Sequence, residues 1–215
     1  PVLDVQTRTR FNEANDSHYY LVPGVIVTIM TMIGALLTSL VMAREYERGT
    51  LESLFVTPVG SGEILTAKAA TNFLLGMVSL AISMIFAAFV FDIPIRGSLT
   101  LLLAVSALFL IVALGLGLVI STATKNQFLA CQFAIMGTFM PALMLSGFLY
   151  DILNMPPAVR ALTYMIPARY YVTLLQTLFL AGDIPSVIIP CCITLGVFAV
   201  VLMGIARLKA PKSLE

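Results

Sequence analysis

A chain of 215 residues that is 60% hydrophobic and only 11% charged is too oily for a water-soluble domain, in which about a quarter of the residues carry charge. Its net charge of +1 excludes a composition built for nucleic acid or acidic substrates. Its mean hydropathy of +1.01 makes membrane-crossing segments the first thing to look for.

Residues 1–20 form a polar opening. Val5, Thr7, Thr9 and Phe11 alternate in the manner of a strand. A lone strand has no stability without partners, so this stretch is expected to be the extracytoplasmic stump of an upstream domain. No basic region followed by a short apolar core marks it as a signal peptide.

Crossing ~30 Å of hydrocarbon takes about 20 helical residues, with every backbone polar group paired inside the segment. Five windows qualify: residues 21–43, 69–91, 97–124, 126–150 and 184–206. None of them contains Asp, Glu, Lys, Arg or His. The predicted fold is an all-α polytopic membrane protein with five transmembrane helices.

Between the first two windows lies "MAREYERGTLESLFVTPVG", residues 42–60, which gathers Arg44, Glu45, Glu47, Arg48 and Glu52. Gly49 weakens the first helix, Thr50 can cap a second, and Glu52 then sits in a first turn where the helix dipole favours an acid. Leu51, Leu54 and Phe55 follow i, i+3, i+4 spacing, and Pro58 ends the run, so an amphipathic interfacial helix is predicted over 44–58. A lipid anchor would be rich in Lys and Arg. Here the acids outnumber the bases, which suits a protein partner better. Glu45 and Arg48 are spaced to pair locally, Ser61 can cap the next helix, and Lys68 is placed to snorkel at the interface.

In the third window Gly115-Leu116-Gly117 reads either as a helix break or as close packing through small residues, together with Gly34, Thr38 and Ala113. Thr28, Thr31, Asn72, Gln132 and Thr138 are candidate interhelical hydrogen-bond partners. Residues 151–182 hold Pro156, Pro157 and Pro167, so two short helical pieces are predicted, starting near Ala158 and Ala168. The apolar run 170–182 is too short to cross, and the whole is expected to be a re-entrant hairpin. Residues 207–215 form a tail with Arg207, Lys209 and Lys212.

Placing 42–60 in the cytoplasm puts seven Lys and Arg residues on that side and five on the other, with the N-terminal end outside and the C-terminus inside. Cys131, Cys191 and Cys192 lie in spans, odd in number and two adjacent, and read as small packing residues.

No chemistry of its own is visible. The spans hold no ionisable relay, "GSGEILTAK" lacks phosphate-loop spacing, and neither HExxH nor GxSxG occurs. Asp92, Asp151 and Asp183 read as caps or turn residues. The chain is therefore not expected to be an enzyme or to bind a cofactor or metal. Any driving energy must come from another polypeptide.

The run Glu45-x-Glu47-x-Gly49-Thr50-x-Glu52-x-Leu54-x-x-Thr57-Pro58 resembles the signature of the ABC-2 family, the membrane subunits of type-2 ABC exporters. Val22-Pro23-Gly24 and the block "LSGFLYDILNMPPAVRALTYMIPARYYV" are similar to further family stretches. The resemblance covers about residues 20–206 and points to the bacterial multidrug-type branch. It implies six spans per subunit, a second permease subunit in a homodimer or paralogous heterodimer, and a separate ABC ATPase carrying ATP and Mg. A periplasmic adaptor is an optional further partner, nucleic acid is not a partner, and the bacterial inner membrane is the location. By the same analogy Arg44, Glu45, Glu47, Arg48, Gly49, Thr50, Glu52 and Leu54 carry the ATPase contact. Met155, Pro156, Pro167, Arg169 and Tyr170 belong to an outer re-entrant gate. The family's first span is not in the sequence.

Two other readings are open on the residues alone. One is an ion-gradient-driven transporter built around a break at Gly115 and Gly117, and the other is a non-transporting assembly protein. A hydrophobic or amphipathic cargo would suit Met30, Met136, Phe139 and Met140, but nothing in the residues identifies it.

Overall fold

The computed structural model describes residues 18–48, 61–91, 93, 96–150 and 152–209. The described residues are helical, with no strand among them, so the chain is an all-α polytopic membrane protein. Helix α1, residues 18–47, is one rod with a π-helical segment, Met32–Leu37, between two α-helical halves. Helix α2 is Ser61–Phe89 and α3 is Leu99–Thr124. Helix α4, Gln127–Leu145, carries a second π segment, Ile135–Phe139. A 3-10 turn, Ile152–Asn154, leads to the short helix α5, Pro157–Thr163, and to α6, Pro167–Gln176, which a π turn extends over Thr177–Ala181. Helix α7, Pro185–Lys209, closes the bundle.

Five of these rods (α1 from Leu21, α2 from Thr66, α3, α4 and α7) are long and apolar enough to span a bilayer. Their ends differ from the uncharged windows for local reasons. Helix α1 continues past Ala43 through Glu47, so Arg44, Glu45 and Glu47 belong to its last turn and not to a separate interfacial helix. Arg48 ends it, donating its N–H to the Arg44 carbonyl at 3.1 Å. Helix α2 begins at Ser61, eight residues before the expected span. Helix α4 stops at Leu145, short of Tyr150, because the chain bends through Gly147, whose φ of +88° is open to glycine and strained for other residues. The rest of the expected 44–58 helix lies outside the described residues.

Turn chemistry sets the register of the rods. Ser98 caps α3 by accepting the Leu101 N–H at 3.3 Å, and Asn126 caps α4 by accepting the Leu129 N–H at 3.1 Å. Lys125 between α3 and α4 has φ of 50°, in the left-handed region, so the chain reverses tightly there.

Helix α3 is the axis of the bundle, packed against α1, α2, α6 and α7. Its buried face includes Leu102, Phe109, Leu110, Leu114 and Leu118. The outer faces of α2, α4 and α7 stay apolar and exposed, with Ile85, Phe89, Phe128, Met136, Ile193 and Val200 on the surface. So much exposed apolar area is stable only where lipid covers it.

Small residues bring α1 and α3 together. A Cβ on Gly34 would come within 2.4 Å of the Ala113 methyl, and one on Gly117 within 2.7 Å of the Ala35 carbonyl oxygen. Gly115 packs against Leu202 of α7 in the same way, at 3.0 Å. The helix runs unbroken through both glycines. Of the two readings of this pair, the structure selects close packing and removes the break. Among the candidate interhelical polar residues, Asn72 does cross, donating to Thr38 Oγ1 at 3.0 Å. Thr28, Thr31 and Thr138 donate instead to carbonyls of their own helices, four residues back.

Candidate functional site

Two places gather the residues that the sequence singled out, one at each end of α3. At the end marked by Lys125, the last turn of α1 meets the first turns of α2 and α4. Glu45 forms an ion pair with Lys68 of α2, across 23 residues of sequence. Lys68 thus has a partner in the fold, beyond the interfacial role expected of it. Glu47 reaches the start of α4. One carboxylate oxygen accepts the Gln127 N–H at 3.1 Å, and the other lies 3.5 Å from the Asn126 amide nitrogen. An acid at a helix start meets unpaired N–H groups and the positive end of the helix dipole. Arg44 and Arg48 are exposed.

Of the eight residues expected to contact an ATPase, Glu45 and Glu47 thus have partners elsewhere in the chain, Glu47 while remaining exposed. Arg44 and Arg48 present their side chains outward. Gly49, Thr50, Glu52 and Leu54 lie outside the described residues.

At the other end, the expected hairpin consists of α5 and α6 joined by a turn at residues 164–166. Three contacts hold its end to the start of α3. Gly97 N–H donates to the Leu178 carbonyl at 2.8 Å, Ser98 N–H to Asp183 Oδ1 at 3.0 Å, and Arg96 Nη1 to the Leu180 carbonyl at 3.2 Å. Asp183, expected as a cap or turn residue, lies in the turn before α7 and ties it to the start of α3. The opposite end of α6 lies deeper. Tyr171 stacks on Phe109 with ring centroids 4.1 Å apart and donates its hydroxyl to Ser106 at 2.8 Å. Ser106 and Phe109 sit about 10–15 Å along α3 from Leu99, at ~1.5 Å per residue. The hairpin therefore enters the bundle and returns to the end from which it came.

Its named residues have distinct places. Pro167 is buried at the deep turn, where proline at the first helical position loses no backbone bond. Arg169 donates to Thr163 Oγ1, and its guanidinium lies 4.0 Å from the centre of the Tyr164 ring, so its charge is held within the hairpin. Tyr170 donates to the Tyr164 carbonyl at 2.9 Å. Met155 is half-buried and donates its N–H to the Ile152 carbonyl at 3.3 Å, while Pro156 is exposed and accepts from Arg160 N–H at 2.9 Å. Arg169 and Tyr170 thus both bond back to Thr163 and Tyr164, where the turn begins.

Beneath this turn is a cavity of about 90 Å³, lined among others by Thr31, Phe109, Gly137, Thr138 and Pro167. The π segment of α4 contributes Gly137 and Thr138 to its lining, and α1 contributes Thr31, the residue before its own π segment. π-helical turns inside long helices occur often at functional sites.

Sequence reasoning missed Tyr171, the residue that seats the hairpin. A usable signal was present, since Tyr171, Leu174, Leu175 and Leu178 follow i, i+3, i+4, i+7 spacing. Tyr171 is fully buried, with its hydroxyl donated to Ser106.

A family profile described as ABC-2 type transporter matches residues 3–180. The whole chain is 47% identical to the probable multidrug ABC transporter permease YbhS of Escherichia coli K12 and spans 57% of that protein's length. It is 31% identical over 180 residues to the probable multidrug ABC transporter permease YbhR of the same strain, covering 82% of the chain and 48% of that relative. The inner membrane transport permease YhhJ, also from that strain, is 28% identical over all 215 residues, which span 57% of its length.

Proposed function

The chain belongs to the ABC-2 type transporter family, and from that membership we propose that it is the membrane-spanning part of a permease subunit in an ATP-driven exporter. The family match over most of the chain carries this reading. In it, a separate ABC ATPase binds ATP and Mg and docks at the Lys125 end of the bundle, which is the cytoplasmic end. The hairpin end faces outward, in the inner membrane of a bacterium. A second permease subunit, identical or paralogous, completes the path, and a periplasmic adaptor is an additional partner where the export route needs one.

The cargo is a hydrophobic or amphipathic molecule. The supporting observations are the apolar helices, the cavity beneath the hairpin turn and the multidrug names of YbhS and YbhR. The gradient-driven alternative loses its motive, because α3 is continuous through Gly115 and Gly117.

The docking contact is assigned to Arg44 and Arg48, together with Gly49, Thr50, Glu52 and Leu54. Purification of the complete permease from its native membrane is expected to bring down a phosphate-loop ATPase. The double variant R44E/R48E is expected to retain roughly tenfold less of it, as loss of about 1.4 kcal/mol at an interface implies. Equal retention by wild type and variant contradicts the assignment.

A further inference from the structure

Both carboxylates in the last turn of α1 bond to groups elsewhere in the chain, Glu45 from a half-buried position and Glu47 from an exposed one. Glu45 pairs with Lys68 at the start of α2, and Glu47 holds the start of α4, 79 and 80 residues further on. The second contact is the more consequential. Gln127 is the first residue of α4, and its N–H has no carbonyl four residues back within the helix to bond. Asn126 already uses its own oxygen to cap Leu129 N–H, so the carboxylate from α1 supplies the acceptor that Gln127 needs. Helices α1 and α4 then pack along their halves at this end, up to the level where their π segments lie side by side.

We propose that Glu47 is a positioning residue that fastens the first turn of α4 to the last turn of α1, so that displacement of the inner end of α1 by the ATPase carries α4 with it. This rests on the exporter reading above. It reassigns Glu47 from partner contact to internal link, and it gives the push a route from the docking end to the helix that lines the cavity. Above the link, that cavity is lined by Gly137 and Thr138 of the α4 π segment and by Thr31, the residue before the π segment of α1.

The link can be cut from either side. Glu47→Ala removes the acceptor, and Glu47→Gln keeps one. Gln127→Pro removes the donor while leaving Glu47 untouched, and the fold tolerates it. Proline suits the first helical position, and the preceding Asn126 is extended, with φ −134° and ψ 131°, as a residue before proline must be.

The experiment uses the complete permease with its ATPase in lipid nanodiscs, in a background with the native cysteines replaced by alanine. Spin labels are placed at the exposed positions 128 on α4 and 208 on α7. In wild type, ATP with vanadate is expected to shift the 128–208 distance. E47A and Q127P are expected to keep the ATPase bound and hydrolysing ATP but to lose the shift. E47Q is expected to restore it, and E47A/Q127P to be no worse than either single variant.

The proposal is overturned if E47A and Q127P shift as wild type does, if wild type with bound ATPase shows no shift, or if E47A and E47Q both release the ATPase. The last result makes Glu47 a partner contact. Wild type that retains no ATPase at all identifies a different failure, that of the exporter reading itself.

Discussion

Tyr171→Ala is expected to unseat the re-entrant hairpin, lowering stability by about 3–5 kcal/mol, the range for removing a large aromatic from a packed core. Tyr171 is fully buried, and its ring stacks on Phe109 at an interplanar angle of 14°. The substitution removes that contact, leaves a cavity where α6 meets α3, and strands the buried Ser106 hydroxyl. Tyr171→Phe keeps the stack and removes only the hydrogen bond, so about 1 kcal/mol is expected. For a chain of this size 1 kcal/mol corresponds to roughly 2–4 °C in midpoint. The alanine variant should therefore melt about 10 °C lower in detergent and the phenylalanine variant only a few degrees lower. Near-equal midpoints for the two variants contradict the role given to the stack.

Gly117→Val is the second large effect. Even a single Cβ at this position would sit 2.7 Å from the Ala35 carbonyl oxygen, 2.9 Å from Thr38 Cβ and 3.1 Å from the Ser39 nitrogen. Two of these are backbone atoms and cannot rotate away, so α1 must retreat from α3. The retreat also strains the Thr38–Asn72 hydrogen bond and the Gly34–Ala113 approach. Overpacking costs about 1–3 kcal/mol for small insertions, and a valine against backbone belongs at or above the top of that range. Gly204→Ala on α7 serves as the control, since no atom lies within 4 Å of its Cβ position. Better helix propensity should leave that variant unchanged or up to about 1 kcal/mol more stable. The yield and melting midpoint of the two variants in detergent check both statements.

These two residues also show where the sequence is legible and where it is not. Five apolar windows sufficed for the helical class, because a bilayer imposes length and hydropathy on each segment independently. The glycine at 117 was recognisable as a packing residue, since small residues spaced by four make one helix face shallow. The window edges misled wherever charge and helix end did not coincide. The backbone of α1 keeps its hydrogen bonds through Arg44, Glu45 and Glu47, and that of α4 lets go at Gly147 while the side chains are still apolar.

Pairing across distance was not legible. Glu45 has a base three residues ahead in Arg48, and Lys68, with which it pairs, is visible only once α1 and α2 lie side by side. Glu47 has no sequence cue toward Gln127 at all, because a backbone N–H carries no residue signature. The π segments were equally hidden, being a matter of which carbonyl each N–H selects.

The central proposal, that this chain is part of the passive path of an ATP-driven exporter, is tested most directly in inside-out membrane vesicles holding the complete permease and its ATPase. The measured quantity is accumulation of an amphipathic fluorescent dye. The account predicts uptake that requires ATP and disappears when the ATPase's phosphate-loop lysine is replaced. Uptake driven by an imposed ion gradient without ATP, and unaffected by that replacement, would contradict it.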